Sequence, residues 1–182
     1  TDLGELIAAR FAGMRVVVCA NLPYYITTPV LTALLEANCF DRVTVMVQKE
    51  VAQRIAARPG TADYGAFTVL MQYYTRPELL FTVPNTCFLP PPKVTSAVVR
   101  CVTRKAPPVQ VKSVDAFWRT VRAGFALRRK TLVNSLQTGW QLPKEQLTAI
   151  VTGCGLESGV RGERLGLEEY ARLADALYEA VQ

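Results

Sequence analysis

Met14-Arg15-Val16-Val17-Val18-Cys19-Ala20 is a β-branched, apolar run of strand length, and the polar turn Asn21-Leu22-Pro23-Tyr24 ends it. A run of this kind without alternation is the pattern of a strand buried on both faces in a parallel sheet. Thr27 or Thr28 as N-cap, with Pro29 at the first helical position, then opens a helix through Leu31, Leu34 and Leu35 to about Asn38. On the upstream side, Leu3, Leu6, Ile7 and Phe11 have helical spacing, and Gly13 follows as a C-cap. Downstream, Arg42 to Val47 reads as a second buried strand and Glu50 to Ala57 as a short helix closed by Arg58-Pro59-Gly60. Tyr64 to Tyr74 reads helical, Leu79 to Val83 extended, and Ser96 to Thr103 as a further strand. Strands alternating with helices predict an α/β layer with a largely parallel sheet.

The character changes at Ala106-Pro107-Pro108. From Ser113 onward only helical periodicities occur, over Phe117 to Leu127, Lys130 to Leu136, Lys144 to about Thr152, and Glu168 to Ala180. Two domains are therefore expected, an α/β part over 1–105 and a small all-helical part over 106–182. With 182 residues, 50% of them hydrophobic, the chain can bury a core, and its composition argues against a disordered or low-complexity segment. No apolar stretch reaches the length of a membrane span.

The chain contains no histidine, which removes Ser-His-Asp and Cys-His nucleophile systems, HExxH metalloproteases and every other imidazole-dependent scheme. Its five cysteines are scattered and never form C-x-x-C, so neither a metal site nor a disulfide framework is indicated, and a reducing, cytoplasmic setting is expected. The chain opens on Thr1-Asp2-Leu3 with no leader pattern and reads as beginning mid-sequence.

Charge is unevenly distributed. Residues 1–92 carry seven Lys/Arg and seven Asp/Glu, residues 93–130 ten against one, and residues 131–182 four against seven. A surplus confined to one stretch, from Lys93 through Arg122 to Arg128-Arg129-Lys130, is the footprint of a polyanionic partner; the alternative is a solvated helix face.

Ligands of open α/β sheets bind at the carboxyl ends of strands, which directs attention to Asn21-Leu22-Pro23-Tyr24. An Asn amide oxygen and the Pro23 carbonyl can each accept a hydrogen from an exocyclic amine, and a Tyr24 ring offers a stacking face for a flat base. The same four residues also suit a proline turn that simply ends a strand. Further along, Pro90-Pro91-Pro92 can neither donate to a sheet ladder nor continue a helix, so it forms a stiff connector with Phe88 at its start.

Asn-Leu-Pro-Tyr at a strand end resembles the (D/N/S)-P-P-Y motif of S-adenosylmethionine-dependent amino-methyltransferases. Five further segments keep the order and spacing of one such family: Val47 to Arg54, Asp63-Tyr64-Gly65, Phe88 to Val98, Arg128 to Leu132, and Arg161-Gly162-Glu163-Arg164-Leu165. Together they resemble the ribosomal RNA adenine N6,N6-dimethyltransferase family, specifically the bacterial small-subunit group, from about Val16 to Leu177. The resemblance implies a partial Rossmann-like methyltransferase sheet followed by an RNA-binding helical domain. It implies that Asn21 and the Pro23 carbonyl hold the target adenine N6, with Leu22 in the same turn, and that Tyr24 and Phe88 flank the base. It places RNA phosphates at Phe125-Ala126-Leu127-Arg128-Arg129-Lys130, with Arg161 and Arg164 open between RNA contact and pairing with Glu163, Glu168 or Glu169.

The resemblance implies S-adenosylmethionine as cofactor, no metal, a monomer, and small-subunit ribosomal RNA or the assembling subunit as partner. The family's Gly-rich loop and acidic cofactor motifs are absent from this sequence, leaving Asn21 as the residue placed near the cofactor; the chain alone is expected to bind it poorly and to be inactive. Two other functions fit parts of the pattern. Large-subunit methyltransferases of the macrolide-resistance type share Asn-Leu-Pro-Tyr but match the Pro-Pro-Pro-Lys-Val-Thr-Ser-Ala-Val run and the Arg-Gly-Glu-Arg-Leu tail less well, and a non-catalytic RNA-binding or assembly role would need no cofactor.

Overall fold

The computed structural model describes residues 2–182. The chain forms two compact units, one comprising residues up to Ala56 together with Leu70–Ala106, the other Ala57–Val69 together with Pro107–Gln182. Of the three places where the chain passes between them, only the last is marked in the sequence, by Ala106-Pro107-Pro108.

The first unit is α/β. Helix α1 (Leu3–Arg10) is capped by Asp2, whose carboxylate accepts from the Glu5 N–H at 3.1 Å. Strand β1 (Val17–Asn21), helix α2 (Thr27–Glu36), strand β2 (Arg42–Gln48) and helix α3 (Lys49–Ile55) follow. Helix α4 (Ala66–Tyr74) runs directly into strand β3 (Thr75–Val83), and strand β4 (Ser96–Thr103) completes a sheet of order β1-β2-β4-β3. The core lies where β2 and β4 pair: Val43, Val45 and Val47 stand opposite Cys101, Val99 and Ala97, all buried.

The α/β class holds, whereas the expected largely parallel sheet does not. Only β1 and β2 are parallel; β4 is antiparallel to both of its neighbours. A parallel neighbour needs a crossover, usually a helix, and no helix longer than a single turn separates β3 from β4. The expectation that β1 is buried on both faces also fails. Among the described residues β1 pairs with β2 alone, and Val17 is 48% exposed where Val45 is 1%. Neither Thr27 nor Thr28 caps α2, because a 3₁₀ turn over Tyr24–Ile26 leads straight into the helix and Ile26 takes the N-cap position.

The second unit is helical, with α5 (Val114–Gly124), α6 (Leu132–Leu136), α7 (Lys144–Gly153) and α8 (Leu167–Glu179). Ser113 caps α5 by accepting from the Ala116 N–H at 3.2 Å. Phe117, Leu132, Trp140, Leu147, Tyr170 and Leu177 are among its buried side chains. Two glycines allow close approach. A Cβ on Gly162 would collide with the Gly124 carbonyl, and one on Gly124 would stand 2.5 Å from the Tyr170 hydroxyl, which donates to the Gly162 carbonyl at 3.0 Å. Tyr64 adds a second buried hydroxyl, donating to the Leu165 carbonyl at 2.9 Å, and its ring lies 5.9 Å from that of Phe125. The Arg-Gly-Glu-Arg-Leu segment is thus bound into this unit by its backbone.

Candidate active site

Strand β1 delivers Asn21, exposed, at its carboxyl end. Leu22 is buried and continues the ladder by donating its N–H to the Met46 carbonyl at 3.2 Å. Pro23 then turns the chain, and its carbonyl accepts from the Ile26 N–H at 3.2 Å and from the Thr27 hydroxyl, also at 3.2 Å. Both lone pairs of that oxygen are therefore engaged within the turn. Tyr24 is half-buried, and its hydroxyl lies 2.5 Å from the Ser96 Oγ.

The second side of the site comes from the segment between β3 and β4. Asn85–Cys87 forms a 3₁₀ turn, the Cys87 N–H donates to the Pro84 carbonyl and the Phe88 N–H to the Asn85 carbonyl, and the Asn85 amide donates to the Pro92 carbonyl at 3.1 Å. These bonds and the restricted φ of three successive prolines hold Phe88, extended at φ −121° and ψ 151°, in place. A cavity of about 350 Å³ is lined by Asn21, Leu22, Pro23 and Tyr24 from one segment and by Phe88, Leu89, Pro90 and Pro92 from the other. The sequence-predicted residues Asn21, Leu22, Pro23, Tyr24 and Phe88 are thus brought together. The lining carries no charged side chain: an amide, backbone carbonyls and aromatic faces suit a flat, neutral, hydrogen-bonding group.

No glycine-rich strand-to-helix turn lies beside this cavity. The turn after β1 is Asn21-Leu22-Pro23-Tyr24, and β2 passes directly into α3 at Lys49. The described residues therefore do not by themselves form a dinucleotide- or nucleoside-cofactor cradle of the Gly-rich kind. Among them no group of three His, Cys, Asp or Glu could hold a metal ion, and no helix is long and apolar enough to cross a membrane.

The cations of residues 93–130 divide into two sets. Arg100 pairs with Glu78 at 2.5 Å, and Lys112 with Glu179. Arg104 donates to the Gln72 and Thr75 carbonyls; burial, then the charge of Arg76, lowers its pKa. Arg119 donates to the Gly139 carbonyl at 2.6 Å and lies 4.4 Å from the centre of the buried Trp140 ring. These four serve the fold. Lys93, Lys105, Arg122, Arg129 and Lys130 make no side-chain hydrogen bond or ion pair among the described residues, and Arg128 makes one long bond, 3.3 Å, to the Ala62 carbonyl. Arg128, Arg129 and Lys130 occupy the exposed turn between α5 and α6 rather than a helix, which corrects the helix expected from Lys130. Arg161 pairs with Glu163 at 3.6 Å.

Sequence reasoning missed Ser96 and Thr27 as supports of this site. Both hydroxyls are buried, and the only signal available was their presence beside apolar positions.

Comparison with known proteins places this geometry. The family model for ribosomal RNA adenine dimethylases matches residues 5–178. The chain is 47% identical over 182 residues to ribosomal RNA small subunit methyltransferase A of Geobacillus sp. strain WCH70, covering 97% of this chain and 62% of the relative, and 42% identical to the protein of that name from Lachnoclostridium phytofermentans, covering 100% and 63%. It therefore spans somewhat less than two thirds of the length of these curated relatives. The structure is similar to that of a dimethyladenosine transferase from Plasmodium falciparum, with a TM-score of 0.72 at 22% identity over 87% of this chain and 65% of the other. It is also similar to that of the 23S rRNA methyltransferase ErmE, with a TM-score of 0.65 at 22% identity over 96% and 75%. The two structural likenesses establish a shared fold. With the family match running almost end to end and its Asn-Leu-Pro-Tyr turn closing a cavity with Phe88, the chain belongs to the ribosomal RNA adenine dimethylase family.

Proposed function

We propose that this chain acts in dimethylation of N6 on two adjacent adenines in the 3′-terminal hairpin of small-subunit ribosomal RNA, with S-adenosylmethionine as methyl donor, during ribosome biogenesis. The observation that carries this reading is the uncharged cavity in which Asn21, Pro23, Tyr24 and Phe88 meet. The family's chemistry draws the methyl group from S-adenosylmethionine, and Asn21 is read as the residue of this turn that would lie near that cofactor's methionine end, beside the base it holds.

An adenine amine is a weak nucleophile because its lone pair is conjugated into the ring. Acceptors on its two N–H groups favour the pyramidal form that can attack a methyl carbon. Asn21 supplies one acceptor through its amide oxygen. Pro23 supplies the other when the Thr27 hydroxyl, free to rotate, turns away from the Pro23 carbonyl. Tyr24 and Phe88 flank the base, and stacking of about 1–3 kcal/mol per base offsets much of the cost of taking it out of its own stack. No proton acceptor is needed before attack, which suits a chain without histidine.

Residues 1–105 are read as the base-holding part of the catalytic domain and 106–182 as an RNA-binding domain, with Lys93, Arg122, Arg128, Arg129 and Lys130 at the phosphates. The protein is read as a cytoplasmic monomer whose partner is the assembling small subunit. The names of the curated relatives favour small-subunit over large-subunit RNA as the target. Incubation of the full-length protein, with the family's cofactor motifs present, with small- and large-subunit RNA and labelled S-adenosylmethionine, followed by nucleoside mass spectrometry, tests the reading. N6,N6-dimethyladenosine at two adjacent positions of the small-subunit hairpin is expected. Label confined to large-subunit RNA, or RNA binding without label, would replace this reading with one of the other two.

A further inference from the structure

We propose that Ser96 is a positioning residue for Tyr24: its buried hydroxyl tethers the phenol so that the ring stands ready to stack on the extruded base. The inference rests on the reading of the cavity as the adenine site. Ser96 is the first residue of β4, wholly buried, and lies in register with Gln48 of β2 and Val83 of β3. A strand paired on both sides fixes its Cβ, so the Ser96 Oγ is a rigid anchor. Tyr24, in contrast, begins a 3₁₀ turn beyond the end of β1 and is a half-buried side chain with two rotatable bonds. The 2.5 Å bond joins its ring to that fixed point.

Burial gives a reason for a serine here. A hydroxyl taken out of water is costly unless bonded, and Ser96 is wholly buried at the start of β4. Tyr24 is the hydrogen-bond partner that the structure gives Ser96, so each hydroxyl satisfies the other across 72 residues of sequence. A ring held in advance pays less rotamer entropy when the base arrives. The tether should therefore affect the reactive complex more than the initial capture of RNA.

The test uses the full-length protein with the family's cofactor motifs present and two hairpin RNAs: one carries 2-aminopurine at the target position, whose fluorescence falls when it stacks on an aromatic ring, and one carries adenine there for kcat, since 2-aminopurine has no N6 amine. Ser96→Ala and Tyr24→Phe each remove one hydroxyl of the pair. Each is expected to weaken the quenching and to lower kcat about tenfold, the effect of one lost hydrogen bond, with KM for RNA within about twofold. The double variant is expected to match the singles, and Ser96→Thr to restore both signals. Wild-type quenching and kcat in both singles, while Tyr24→Ala loses both, would overturn the tether and leave the pocket reading intact. If Tyr24→Ala also keeps both, the pocket reading itself falls and the tether with it. Should Ser96→Ala melt much earlier than wild type, Tyr24→Phe decides alone, since it leaves the interior of β4 intact.

Discussion

On the proposed reading, the two units would handle recognition in opposite ways. In the first, the cavity contains no charged side chain and depends on placement: an amide at the end of β1, a ring tied to Ser96, and a second ring held by a hydrogen-bonded proline loop. In the second, a core closed by Gly124, Gly162 and Tyr170 leaves Arg128, Arg129 and Lys130 exposed in a turn that the fold uses hardly at all. Placement is lost in one step when a single group is removed. Charge is lost by degrees, because each cation contributes a similar, screened increment.

The largest effect expected from this contrast is that of Tyr24→Ala. Loss of the stacking face should lower turnover of the full-length protein about 100-fold, the upper range for one base–aromatic contact, while the Ser96 hydroxyl left unpaired lowers the melting temperature without unfolding the chain. Unchanged turnover in a methyl-transfer assay would break the contrast on the side of the pocket. Gly162→Ala should act on the other unit's frame, costing about 1–3 kcal/mol in chemical denaturation because the Gly124 carbonyl and the Tyr170 hydroxyl must both move. Its salt dependence of RNA binding should stay as in wild type, separating frame from charge.

Replacing Arg128, Arg129 and Lys130 together by Ala should weaken RNA binding about tenfold at moderate salt and lower the slope of log affinity against log salt by about two to three. Turnover at saturating RNA should change little. A slope that does not move would place the phosphates elsewhere, at Lys93 or Arg122.

The smallest effect is alkaline. Burial pushes the Cys101 thiol up to about 12 from an ordinary value of 9.0. The unfolded chain therefore ionises first, and the contribution of the buried thiol is complete below pH 9 and lost as pH rises toward 12. Cys101→Val should flatten the fall in stability between pH 9 and 10 by at most about 1.4 kcal/mol per pH unit. Tyr64 and Tyr170, both raised by burial, should preserve the decline above pH 10.

Much of this was legible in the residues. Ser96–Thr103 forms the strand expected there, and the helices of the second unit begin and end within a few residues of their expected bounds. Asn21 to Tyr24 and Phe88 were identified together because a recognisable order of motifs links them. What could not be read has specific causes. The composition of β1 says that it is a strand, not how many neighbours it has. The direction of β4 depends on its insertion between β2 and β3, for which no local residue is responsible. Periodicity carries the expected helix back to Lys130, whereas the chain turns through Arg128-Arg129-Lys130 and α6 begins at Leu132. The division of the cations into four that serve the fold and others that do not required partners as distant in sequence as Lys112 and Glu179.

The β3 edge of the sheet is built against extension. β3 carries Pro77, which has no backbone N–H to offer, and a register shift between Leu79 and Phe81, both of which hinder the addition of another strand. The sequence of β3 thus ends the sheet on that side, and an amide-bearing residue in place of Pro77 is the change that would open it to strand pairing between molecules.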